Sequence, residues 1–128
     1  MYLNNMLNDS PTVVIPANAA LSAVGMKAYA ANSSGKAILP AAAGDVPLGI
    51  ALADQTDVAA GEDIFLAVKD ITHWIAGEAL AVGDLLMAHT DGTAKKATSG
   101  KYIFAKALEA ADKDQPAVVQ IINAGYAA

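Results

Sequence analysis

"VGDLLMAHTDGTAKKA", residues 82–97, is the stretch on which the fold turns. Alone it resembles a site, with Asp84 after a glycine, His89, an Asp-Gly pair, and the adjacent Lys95 and Lys96. Extended to "LAVGDLLMAHTDGTAKKATSGKYIFAKALEAAD" (80–112), it aligns with "SAVGMKAYAANSSGKAILPAAAGDVPLGIALAD" (22–54). Val24-Gly25 falls on Val82-Gly83, the turn Asn32-Ser33-Ser34-Gly35 on His89-Thr90-Asp91-Gly92, Gly44 on Gly100, and Ala51-Leu52 on Ala107-Leu108. The offset is about 57 residues, and "EDIFLAV" (62–68) follows the first block much as "PAVVQII" (116–122) follows the second. The polar residues do not repeat. His89 stands against Asn32, Asp84 against Met26, and Lys95-Lys96 against Leu39-Pro40, so only the turn formers are shared. The stretch therefore reads as a solvated hairpin, and Gly92 supplies the positive φ that a tight turn requires.

The same comparison decides between helix and strand. Alanine makes up nearly a quarter of the chain, which by propensity alone favours helix. Glycines and Gly-Asp or Gly-Glu pairs recur every 10–20 residues and would break helices, and between them lie alternating or β-branched runs such as "DIFLAV" and "AVVQII". "AKALEAADKD" has helical propensity, but its counterpart "GIALADQTDV" is a poor helix, so residues 103–109 are expected to be a strand. Each unit reads as strand, polar turn, strand, glycine turn, strand, longer loop, strand. The expected fold is mainly β: a small barrel or sandwich built from two duplicated units (20–68 and 79–122) within one domain, 19–128, preceded by an extended N-terminal arm, 1–18.

Composition narrows the functions. Cysteine is absent, which removes disulfides and thiolate chemistry. The two histidines, His73 and His89, have no ligand-like neighbours, and neither a metal nor another cofactor is expected. All eight basic residues are lysines and the net charge is −5, which disfavours a nucleic-acid partner. No segment reaches the roughly 18 apolar residues of a membrane helix, and "MYLNNMLNDS" lacks the features of a signal peptide, so a protein made in a cytoplasm without a membrane partner is expected.

No catalytic set emerges, and no enzyme is expected. Asp45, Glu62, Glu78 and Asp84 each follow a glycine, but they recur at loop spacing; such acids start strands after turns and accept backbone N–H bonds. His73-Trp74 reads either as a core tryptophan with its neighbour or as an interface anchor, and nothing in the first unit corresponds to it. Lys95 and Lys96 after a hairpin raise the alternative of a lipoyl- or biotinyl-like carrier, or a small-ligand-binding module of an enzyme complex. In those families, however, the modified lysine sits at the hairpin tip, and here the tip is "TDGT". Residues 1–19 have no match in the second unit. "TVVIP" (12–16), bounded by Pro11 and Pro16, suits an arm that adds a strand to a partner or, equally, an edge strand of the protein's own body.

Taken in order, Ala76-Gly77-Glu78, Val82-Gly83-Asp84, Asp91-Gly92-Thr93-Ala94, Gly49-Ile50-Ala51-Leu52 and Gly61-Glu62 resemble the small capsid decoration (cement, or head-stabilising) proteins of tailed bacteriophages, over roughly residues 20–123. The chain departs from that pattern at Ala105, where a glycine often stands, and at Asp70. The resemblance implies a β-rich body on the outside of an assembled head, commonly a trimer, with the major capsid protein as partner. The lambda head decoration protein is similar in role and engages the capsid through an N-terminal arm. By that analogy Tyr2, Leu3, Met6, Leu7, Thr12, Val13, Val14 and Ile15 are the expected capsid-binding arm, and His73 and Trp74 a possible interface. A domain of a larger fibre or tail would share this fold.

Overall fold

The computed structural model describes residues 12–128 as an all-β molecule, with no helix among the described residues. Ten strands run in chain order: β1 (Thr12–Pro16), β2 (Ala28–Ala31), β3 (Ala37–Ile38), β4 (Gly49–Ala51), β5 (Asp63–Ala67), β6 (Asp70–Ile75), β7 (Leu85–Ala88), β8 (Ala94–Lys96), β9 (Tyr102–Ala107) and β10 (Pro116–Tyr126). They form two five-stranded antiparallel sheets, ordered β1-β5-β4-β2-β3 and β6-β10-β9-β7-β8. Adding five to each strand of the first order gives the second. Of the two expected architectures, the sheets adopt the sandwich and not the closed barrel. A single parallel bridge, Ala17–Ala37 in one sheet and Ala76–Ala94 in the other, brings the two edges of each sheet together at one point.

Hydrogen bonds outside the ladders follow the same correspondence. Asn32 N–H donates to Lys36 O and Gly35 N–H to Asn32 O, at 2.9 and 3.0 Å; His89 N–H donates to Thr93 O and Gly92 N–H to His89 O, both at 2.9 Å. Ala17 N–H reaches Glu62 O at 2.8 Å, and Ala76 N–H reaches Gln115 O at 2.9 Å. The strand expected over 103–109 forms at Tyr102–Ala107, paired on both sides by β10 and β7, and ends two residues early, at the bend of Leu108 and Glu109. One register differs from expectation by a residue. Lys95 pairs with Met87 as Ile38 pairs with Ala30, so Lys95 corresponds to Ile38 and not to Leu39.

Each sheet curls around apolar side chains of its own. Tyr29, Ala51, Ile64 and Leu66 are buried in the first, with Val13, Ile15 and Leu21 packed against them. Trp74, Leu86, Ala107 and Val119 are buried in the second. Because side chains alternate along a strand, Ala28, Ile50 and Ala67 point out of the opposite face of the first sheet. That row joins the cluster of the second sheet, and all three side chains are at most 1% exposed. Tight backbone approaches fix the docking. Gly92 O accepts Ala28 N–H at 2.8 Å, and Met26 O accepts Ile75 N–H at 2.9 Å. A Cβ on Gly44 would lie 2.5 Å from the Lys101 side chain. The matching row of the second sheet is Leu85, Lys106 and Gln120, joined laterally by strand pairing. Among the described residues nothing covers it: Leu85 and Gln120 are exposed and Lys106 is half-buried.

Candidate functional site

The stretch 82–97 folds as strand, turn, strand, and its polar groups do not converge. Asp84 and His89 flank opposite ends of β7, while Lys95 and Lys96 lie within β8 opposite Met87 and Leu86. Of the acids after glycines, Asp45, Glu62 and Asp84 cap their own turns, while Glu78 reaches across to the backbone of β8. Asp45 accepts Ala42 N–H at 3.0 Å, Asp84 accepts Ala81 N–H at 2.8 Å, Glu62 accepts Ala59 N–H at 2.5 Å, and Glu78 accepts Lys96 N–H at 2.8 Å. Each carboxylate is thereby held by a backbone donor, three of them within their own turn. Among the described residues no group of three or more His, Cys, Asp or Glu side chains is placed to hold a metal ion.

The hairpin turn is nonetheless the most organised polar feature. Asp91 accepts hydrogen bonds from the N–H and the hydroxyl of Thr93. Burial pushes the Asp91 carboxyl up, but those two bonds and the charge of His89 outweigh it and hold the group below its ordinary value. The Nδ1 atom of His89 is buried and has no hydrogen-bond partner among the described residues. Beside this turn a cavity of about 290 Å³ lies between the two sheets, lined by residues including Lys27, Tyr29 and Asp91. Burial raises the Tyr29 phenol to about 12, so it stays neutral at any ordinary pH.

Trp74 is fully buried; its indole N–H donates to Gly92 O at 2.8 Å and its ring meets Phe104 edge-on at 5.8 Å. Of the pair His73-Trp74, only His73 reaches the surface. Thr12, Val13, Val14 and Ile15 form β1, the edge strand beside β5. Tyr2, Leu3, Met6 and Leu7 lie outside the described residues.

The sequence did not reveal the open apolar ground on the first sheet. Val14 and Phe65 are cross-strand partners, exposed by 46% and 44%. Phe65 lines a groove of about 490 Å³ with Leu52 and the acidic loop that follows it. The signal available was the alternation in "DIFLAV", which puts Phe65 on the face opposite Ile64 and Leu66.

No protein-family model matches the chain, and no curated protein does. Among solved structures it is similar to the crystal structure of the head fiber gp8.5 N base of bacteriophage phi29. The likeness has a TM-score of 0.67 and covers 94% of this chain and 100% of that one, at 22% identity. The chain has the fold of that fiber base. At this identity the likeness speaks to architecture, with both sheets included.

Proposed function

We propose that the chain is a structural protein of a phage virion that binds the outer surface of the capsid and stabilises the assembled head. The observation that carries this reading is the fold shared with a head fiber base over the whole of that chain. The turn motifs resemble the decoration proteins independently of the coordinates. Capped carboxylates and strand-bound lysines fit a protein that works by contact rather than by chemistry. On this reading the partner is the major capsid protein, the protein is made in the host cytoplasm, and it ends on the virion exterior as a homo-oligomer, most simply a trimer. Of the arm expected over residues 1–18, residues 12–16 pair with β5 as an edge strand of the body, so on this reading residues 1–11 act as the arm, with Tyr2, Leu3, Met6 and Leu7 leading and Val14 presented by β1.

Stabilisation of the head would follow from mass action. A protein that binds the shell and not its dissociated parts favours the shell by about 2.7 kcal/mol at a free concentration 100 times its Kd. About 800 Å² of contact per partner is enough for specificity, and linked copies add through effective concentration. The test is to add the purified protein to heads that lack it, measure co-sedimentation, and then challenge the heads with heat. Binding together with a raised disruption temperature is expected; absence of binding overturns the reading.

The fiber-base likeness favours a second reading, a base that anchors a fibre to the head. That protein would bind heads without changing the temperature at which they break. For the carrier alternative no structural observation speaks. An intact mass equal to the sequence mass, after expression with a competent ligase, counts against modification of Lys95 or Lys96.

A further inference from the structure

We infer that the groove on the first sheet floored by Phe65 and Leu52 is the surface that grips the capsid, and that its occupant is an extended segment of the shell protein carrying an apolar side chain flanked by lysine or arginine. The inference rests on the capsid-binding reading and names the contact within it. Phe65 lies two residues before Ala67 in β5, and Leu52, just past the end of β4 and two residues after Ile50, donates its N–H to Phe65 O at 3.1 Å, so the two continue the same face of the sheet beyond the buried row. The buried part of that face already serves as a docking surface inside the molecule. The open part keeps Phe65 and its cross-strand partner Val14 nearly half exposed in adjacent strands, an arrangement a soluble surface gains nothing from unless something covers it.

Charge selects the occupant. Asp54, Asp57 and Asp63 rim the groove together with Glu62, and no lysine or arginine occurs between Leu52 and Asp63. In the second sheet the corresponding cross-strand pair is His73–Val118, and its loop mixes Glu109, Asp112 and Asp114 with Lys113. The acidic, aromatic version is therefore particular to the first sheet. An apolar floor inside a ring of negative charge attracts a cationic segment and then rewards it for burying a side chain on the ring of Phe65.

The backbone geometry also decides how the segment is held. The Gln55 amide donates to Phe65 O at 2.6 Å and accepts Phe65 N–H at 2.9 Å. Both backbone groups of Phe65 are thus already bonded on that side of β5. The occupant cannot add as a strand there and must be read through side chains.

The test uses heads stripped of the protein, from the phage that encodes it, in a co-sedimentation assay with the full chain. Phe65→Ser removes the anchor. Asp54→Lys with Asp63→Lys reverses the rim while sparing Asp57 and Glu62, which hold the Ala23 and Ala59 N–H groups. Leu85→Ser, on the second sheet, is the control. Thermal melts confirm that each variant folds. Each groove variant is expected to lose about tenfold or more in affinity, the rim variant is expected to lose most of the wild-type salt dependence, and the control is expected to bind normally. If wild type does not bind, the functional reading falls and this inference with it. If wild type binds and the groove variants bind equally, this surface alone is refuted. If Phe65→Ser instead changes the oligomeric state of the free protein, the occupant is a second copy and the inference is overturned.

Discussion

Gly92 carries more of the structure than any other residue of the hairpin turn. Its carbonyl accepts both the Trp74 indole and the Ala28 N–H, and its φ is +84°. A Cβ there would meet Lys27, Ala28 and Leu39 at 3.0 to 3.2 Å. Gly35 holds the corresponding turn of the first sheet at φ +75° with open space around it. Both Gly→Ala changes should cost about 1 kcal/mol or more through backbone strain, and Gly92→Ala should cost distinctly more, as read by urea denaturation. Asp91 gives a second expectation. Its folded-state pKa lies below the unfolded value of 3.8, so its contribution is complete above that pH and is lost as pH falls through the folded value. An acid titration monitored by circular dichroism should show wild type losing stability below about pH 4 that Asp91→Asn does not lose. The turn itself was legible from Asp91-Gly92. The bond from Trp74 was not, because 18 residues separate donor and acceptor and no local pattern links them.

At the scale of the element, four strands of each sheet were readable because glycines and apolar residues recur in order. The fifth was not. β1 and β6 occupy the same place in their sheets, each antiparallel to the strand that also flanks the third in order, yet "TVVIP" and "ITHWI" share no pattern. Edge strands are constrained by packing on one side only, so their sequences diverge freely. The placement of β1 bears on how the arm can be tested. Deleting residues 1–11 should leave the melting temperature of the body unchanged while weakening capture by heads. Deleting 1–16 removes the strand that pairs with β5 from Thr12 to Pro16 and should lower the melting temperature as well. Equal capture by wild type and the shorter deletion would remove residues 1–11 from the contact.

For the whole molecule, the decisive feature is that one apolar cluster draws on both sheets. Ala28, Ile50 and Ala67 of the first pack with Trp74, Leu86 and Phe104 of the second. Neither sheet can open without exposing the other, so unfolding should be a single cooperative event. Trp74 reports on the second sheet and circular dichroism on both; their urea transitions should coincide. Two separated transitions would mean that the sheets fold as independent units. A mainly β molecule with a sandwich as one option was legible from short strands punctuated by turns. Which face of one sheet would meet the other was not, since Ala28 and Ile50 sit in runs that are apolar on both sides.

The exposed row Leu85–Lys106–Gln120 explains why the stack ends at two. Its counterpart in the first sheet is apolar and receives a neighbour; here a lysine and a glutamine keep the end wetted, as terminal repeats do in solenoids. Lys106→Ile with Gln120→Ala would turn that terminus into a sticky front, while the opposite end of the molecule still offers the hairpin Asn32–Gly35 that matches the internal acceptor. Such a head-to-tail contact has no built-in closure, so the doubly substituted protein should grow into linear polymers visible by electron microscopy. Two side chains would thus keep a discrete particle from becoming a filament.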